Sequence, residues 1–132
     1  MMFVDASATI AIIARESEGP ALAARLGQAV SVYTSPISTF EAVAGLARIG
    51  NMPIADAETV LARFLDEVDA EIVPITEEIG RAAVEALVRF GKGCHAAGLN
   101  MGDCFAYACA RSVDAPLLFK GDDFPQTDIV VA

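Results

Sequence analysis

A chain of 132 residues that is 55% apolar has the length for one domain around one sizeable core. Eighteen acidic against nine basic residues give a formal charge of −9, which repels nucleic acid at long range. No apolar run spans a bilayer, no basic-then-apolar leader opens the chain, and three cysteines at no metal-site spacing beside a single histidine argue against a structural zinc. The expectation is a cytoplasmic protein with free thiols. A nucleic-acid substrate would need a divalent cation, a local basic patch or a basic partner.

Met2-Phe3-Val4 is a short apolar run that reads as a buried strand ending at Asp5. Ser7-Ala8-Thr9 opens a helix through Ile10 to Arg15, so Asp5 falls between a strand and a helix. In open α/β sheets that edge is where ligands bind. Glu18-Gly19-Pro20 restarts the chain, Ala21 to Ala29 reads as a second short helix, and Val30-Ser31-Val32-Tyr33 as a second strand. Pro36 lies near the start of a third helix, capped by Ser38 or Thr39, that carries Glu41 between Phe40 and Ala42-Val43-Ala44 with no base nearby.

Gly50-Asn51-Met52-Pro53 is a turn. The spacing of Val60, Leu61, Phe64, Leu65 and Val68 predicts an amphipathic helix over Ala55 to Ala70. Glu71 to Ile75 reads as a third strand closed by Pro74, and Thr76 begins a helix running to about Phe90. Gly91 to Gly98 is a flexible loop with Lys92, Cys94 and His95. Gly98-Leu99-Asn100-Met101-Gly102-Asp103 then turns into an apolar helix, with Asn100 a plausible turn or cap residue and Asp103 at the junction, where a carboxylate is favoured by unpaired N–H groups and the helix dipole. Ala115 to Phe119 is a fourth strand, Lys120-Gly121-Asp122-Asp123-Phe124 a turn with two acids, and Ile129-Val130-Val131 a short last strand. Alternating strands and helices argue for an α/β fold: a central parallel sheet of about four to five strands flanked by helices, as a single domain over residues 1–132.

Four places hold acids with a reason to meet. Asp5 and Asp122 follow strands at what should be one edge of a parallel sheet, Asp103 starts a helix, and Glu41 sits in an apolar helical setting. Facing carboxylates repel and raise one another's pKa, and a divalent cation resolves the conflict. Oxygen ligands without histidine suit Mg²⁺ or Mn²⁺, ions that activate water and hold a phosphoryl oxygen. The plainer reading of each acid is a cap or a turn residue; it is their occurrence together that favours a site.

Asp5 after the first strand, Glu41 on the helix after the second, Gly-Leu-Asn-Met-Gly-Asp at 98–103 and Leu-Leu-Phe-Lys-Gly-Asp-Asp-Phe at 117–124 resemble the PIN-domain ribonucleases. More narrowly, the whole chain resembles the VapC toxins of type II toxin–antitoxin pairs, most strongly from Gly91 to Ile129. The resemblance implies a PIN-like fold and a Mg²⁺-dependent endoribonuclease that inhibits translation by cutting transfer or ribosomal RNA. It carries the core acids onto Asp5, Glu41 and Asp103, and the fourth onto Asp122, with Asp123 as the competing alignment. Thr9 or Ser7 would assist near Asp5. Lys92, His95 and Lys120 become candidates for substrate phosphate contacts, while Cys94 stands where relatives often have a basic residue. It further implies a homodimer, a higher toxin–antitoxin assembly, and inhibition by a VapB antitoxin whose basic or aromatic segment enters an acidic groove. Two other readings stand beside it. A haloacid-dehalogenase-like phosphatase also ends its first strand with Asp, but wants a second Asp where this chain has Ser7. A PIN-like module without activity would act through its partner alone.

Overall fold

The computed structural model describes all residues from Met1 to Ala132. In chain order the elements are β1 (Met2–Val4), α1 (Ala6–Ile13), α2 (Gly19–Leu26), β2 (Val32–Thr34), α3 (Pro36–Ile49), α4 (Ile54–Glu67), β3 (Ala70–Ile72), α5 (Glu77–Phe90), α6 (Met101–Ser112) and β4 (Leu117–Leu118), followed by a 3₁₀ turn, Phe124–Gln126. The four strands form one parallel sheet in the order β3-β2-β1-β4. The α/β architecture expected from the sequence, a central parallel sheet flanked by helices, is therefore present, with four strands and six α-helices.

Strand alternation explains the layers. Phe3 and Leu117 point to one face, where they pack with Ile79, Ala83, Phe90, Leu99 and Cys109 of the α5–α6 side. Met2, Val4 and Leu118 point to the other, against Ala8, Ala11, Leu22 and Leu26 of α1 and α2. A third cluster of Ala6, Ala42, Leu46, Ala57 and Leu61 joins α1, α3 and α4. β1 is wholly buried and central, so its three residues are all apolar.

The strand order fixes where a site can form. The chain steps from β1 to β2 to β3 in one direction, then crosses back to place β4 on the far side of β1. The crevice at the C-terminal ends of β1 and β4 is thus the topological switch point, the place where open α/β sheets bind ligands. Asp5 follows β1 there, and the 120–123 turn follows β4.

Several expected boundaries shift. The second strand is Val32–Thr34, with Val30 exposed, and the third is Ala70–Ile72 rather than Glu71 to Ile75. The fourth-helix region stops at Glu67, and Asp69 takes a left-handed φ of 52° that turns the chain into β3. The expected fifth strand is reduced to an isolated bridge between Val131 and Leu117. Apolar runs continue past the point where backbone pairing ends, which is why sequence overestimates these strands.

Candidate active site at the switch point

Asp5 is the N-cap of α1, in extended backbone (φ −72°, ψ 154°). Its N–H donates to Leu118 O at 2.9 Å, which ties the end of β1 to β4. Its Oδ2 accepts from the Ser7 N–H at 3.1 Å and from the Ser7 hydroxyl at 2.5 Å. Ser7 Oγ in turn accepts from the Lys120 N–H at 2.9 Å, so one hydroxyl links the acid to the turn after β4. Ser7 bonds the Asp5 carboxylate, whereas Thr9 bonds Asp5 only through its N–H to the Asp5 carbonyl, at 3.1 Å. Only 5% of Asp5 is exposed. That burial pushes its pKa up, and the Ser7 bonds oppose the rise.

Glu41 lies within α3, whose start is capped by Ser35: Ser35 Oγ accepts from the Ser38 N–H at 3.1 Å. Half-buried, Glu41 is raised to about 7, first by desolvation, then by the charges of Asp5 and Asp103. Its carboxylate rests against the backbone of Gly102 in the first turn of α6, where any β-carbon would overlap both carboxylate oxygens. That contact is where α3 and α6 meet over the end of the sheet.

Asp103 is not the cap of α6 but its third residue. Asn100 is the cap: its Oδ1 accepts from the Asp103 N–H at 2.9 Å, and Asp103 Oδ2 accepts from the Asn100 N–H at 3.1 Å. This reciprocal capping box fixes the acid's rotamer. Desolvation raises Asp103 to about 6; the Asn100 bond opposes this, and the charges of Asp5 and Asp123 add to it.

Asp5, Glu41 and Asp103 thus come from three elements and bear on one another electrostatically, and no lysine, arginine or histidine pairs with any of them. The two acids of the final turn part company. Asp123 is the one whose charge reaches Asp103. Asp122 lines a separate cleft with Glu18, Arg25 and Lys120. Lys120 is engaged away from the acids, its Nζ 3.0 Å from Glu16 and 3.4 Å from Glu18. Lys92 and His95 lie in the loop before α6 and bond none of the three. His95 Nδ1 accepts from the Ala97 N–H at 2.9 Å, and its ring packs edge-on against Phe90.

No group of three His, Cys, Asp or Glu side chains is gathered closely enough to hold a metal ion. The donor chemistry nevertheless fits a hard divalent cation: oxygen-only groups, unpaired with base, whose mutual repulsion favours protonation when nothing else offsets it. Three residues of this region have roles that the sequence did not disclose. Gly102 carried a signal, a glycine beside an acid in a helix start. Tyr107 and Asp128, described below, carried none, because their bond spans distant segments.

Residues 2–130 match the PIN domain family. A VapC ribonuclease of Rhizobium meliloti (strain 1021) is 38% identical, the match covering 98% of this chain and 99% of that protein. Ribonuclease VapC36 of Mycobacterium tuberculosis is 40% identical over 97% of this chain and 91% of its own. Among solved structures, the Mycobacterium tuberculosis VapC20 toxin, a sarcin–ricin loop cleaving toxin, superposes with a TM-score of 0.79 at 23% identity, covering 100% of this chain and 98% of that one. A toxin–antitoxin complex from Klebsiella pneumoniae gives 0.72 at 17% identity, covering 100% and 97%.

Proposed function

We propose that this chain, which belongs to the PIN domain family and has VapC ribonucleases as its relatives, is a metal-dependent endoribonuclease and the toxin of a toxin–antitoxin pair. The observation that carries the reading is the set of Asp5, Glu41 and Asp103, three mutually repelling carboxylates from separate elements with no base among them. Family membership displaces the phosphatase alternative, and Ser7 stands bonded to Asp5 where that chemistry wants a second Asp.

Asp5, Glu41 and Asp103 are the residues that would hold Mg²⁺ or Mn²⁺. For the fourth acid we favour Asp123 over Asp122, because its charge bears on Asp103. When bound, the cation supplies a Lewis acid for the phosphoryl oxygens and lowers the pKa of water. The chain supplies the rest. Ser7 occupies one oxygen of Asp5 and so orients the other. Asn100 does the same for Asp103. Glu41, which makes no side-chain hydrogen bond, is the carboxylate free to take the proton of the attacking water.

The substrate on this reading is RNA, in a loop of transfer or ribosomal RNA, and the outcome is inhibited translation in the cytoplasm. No helix is long and apolar enough to cross a membrane. Lys92 and His95, exposed in the loop before α6, remain the proposed phosphate contacts. Lys120 would have to leave Glu16 and Glu18 to join them.

The partner is a VapB-type antitoxin, on a homodimer of this chain or a higher assembly of such dimers with it. Beside the site, α3 and α4 form a groove of about 630 Å³ lined by Pro36, Phe40, Val43, Ile54, Leu61 and Leu65. Phe40 is 76% exposed there. An antitoxin segment with an apolar face for the groove and basic residues for the acids would complement both this surface and the charge of −9. Mapping RNA 5′ ends after brief induction tests the activity: new ends at a defined sequence should appear with the wild-type chain and not with Asp103→Ala. Identical end profiles from the two would favour a PIN-like module without activity.

A further inference from the structure

Asp128 lies beyond the acids and touches none of them, yet it gathers more polar partners than any other carboxylate in the chain. Tyr107 donates its hydroxyl to Asp128 Oδ1. Arg89 and Arg111 donate to Oδ2 at 3.1 Å and 3.3 Å, and Arg111 also donates to the Tyr107 oxygen at 3.2 Å. An exposed ion pair alone contributes little. This one is built on a fixed point: Tyr107 is buried, with its ring packed against Phe90, and the Arg89 guanidinium lies 4.6 Å from the Phe90 ring centre. The donors come from α5 and α6, the same α6 that carries Asp103.

Between Asp128 and the acids the chain is short and internally tied. The Gln126 N–H donates to Asp123 O at 3.2 Å, and the Thr127 N–H to Phe124 O at 2.9 Å. The Thr127 hydroxyl donates to Phe124 O at 2.7 Å and accepts from the Ile129 N–H at 3.2 Å. Phe124 is buried against Phe119, with ring centres 5.0 Å apart. Asp123 itself is exposed and makes no side-chain hydrogen bond, so its place in the turn after β4, which the Lys120 N–H ties to Ser7 and through it to Asp5, depends on the block to which it is attached.

We propose that Asp128 is a positioning residue: its bonds to Tyr107, Arg89 and Arg111 lock the Asp123–Thr127 block onto α6 and so hold Asp123, in the turn after β4 at the switch point, beside the cation site. The proposal rests on the nuclease reading above. Positioning partners of metal ligands affect metal affinity by about 10–100-fold, and a partner acting through one ligand should sit at the low end.

Amide exchange by mass spectrometry and Mn²⁺ calorimetry test it together, on the full chain. Asp128→Ala should speed exchange across residues 121–127 while α5 and α6 stay protected, and should weaken Mn²⁺ binding about tenfold. Asp128→Asn, which keeps an acceptor for Tyr107, should recover part of the loss. Added to Asp123→Ala, Asp128→Ala should cost nothing more in Mn²⁺ affinity, because the group it positions is already gone. Unchanged exchange in the turn overturns the proposal, and so does an Asp128→Ala loss as large in the Asp123→Ala background as in the wild type. A wild-type chain that binds no Mn²⁺ and cuts no RNA overturns the nuclease reading instead, and the exchange comparison then still decides whether Asp128 holds the turn.

Discussion

The carboxylate of Glu41 fills the space that a side chain at Gly102 would need. The first residue type that allows α3 to bring its acid to the start of α6 is therefore glycine, and the reason is steric rather than conformational. Gly102→Ala should displace Glu41 while leaving α6 intact, since alanine is the better helix former. Its expected signature is a loss of RNA cleavage of about tenfold or more with circular dichroism unchanged. Retained full activity would show that the Glu41–Gly102 contact has no part in the site.

In the cation-free protein, stability should fall as pH rises. Glu41 and Asp103 are raised from ordinary values of 4.5 and 3.8 to about 7 and about 6. Between those limits the folded state keeps protons that the unfolded chain has released, so unfolding becomes more favourable with increasing pH until the folded-state values are passed. Thermal melts in EDTA should show a lower Tm at pH 8 than at pH 5.5. Glu41→Gln should raise the Tm at pH 8 by a few degrees, about 3 °C for each kcal/mol at this chain length, and change it little at pH 4.

Divalent cation should reverse that trend. A cation competes with protons for the same oxygens, so Mg²⁺ or Mn²⁺ should raise Tm more at pH 8 than at pH 5.5, by an amount that grows with the logarithm of concentration once the site is filled. Equal shifts at both pH values, or none, would separate the acids from cation binding.

The two acids of the last turn offer a clean contrast. Asp123→Ala should lower cleavage by about tenfold or more, because its charge bears on Asp103. Asp122→Ala should have little effect, because Asp122 lines the cleft with Glu18 and Arg25. The reverse pattern in purified variants would restore Asp122 to the site.

On the proposed reading, antitoxin capture uses the groove as well as the acids. Ile54 is 56% exposed on the groove wall. Ile54→Glu should weaken neutralisation by the partner about tenfold or more while RNA cleavage stays at the wild-type rate. Neutralisation that survives this change would place the partner elsewhere.

Much of this architecture was legible in the sequence because it rests on local rules. Met2-Phe3-Val4 followed by Asp5 reads as a buried strand ending in an acid, and so it folds. The parallel sheet followed from the alternation of elements, and the place of Asp5 and the last turn at its edge followed from the sheet. The register of Asp103 was less legible. A carboxylate at a helix start looks like a cap, and only the reciprocal bonds with Asn100 show it to be the third residue. Asp122 and Asp123 are adjacent in the sequence, and what distinguishes their surroundings, the 3₁₀ turn that begins at Phe124 and the packing of Phe124 on Phe119, has no local pattern. The Tyr107–Asp128 bond joins residues on separate segments and has no local pattern at all. Lys120 looked like a free cation because its partners, Glu16 and Glu18, lie at the far end of the sequence.

On the proposed reading, Asp5, Glu41 and Asp103 form a cation-dependent site that cuts RNA. Its most direct measurement is cleavage of RNA by the purified chain across a Mg²⁺ titration, with Asp103→Ala purified in parallel and shown folded by its melt. Cleavage that saturates with Mg²⁺, stops in EDTA and is lost in Asp103→Ala is the expected result. Cleavage that continues in EDTA, or at the wild-type rate in Asp103→Ala, would contradict it.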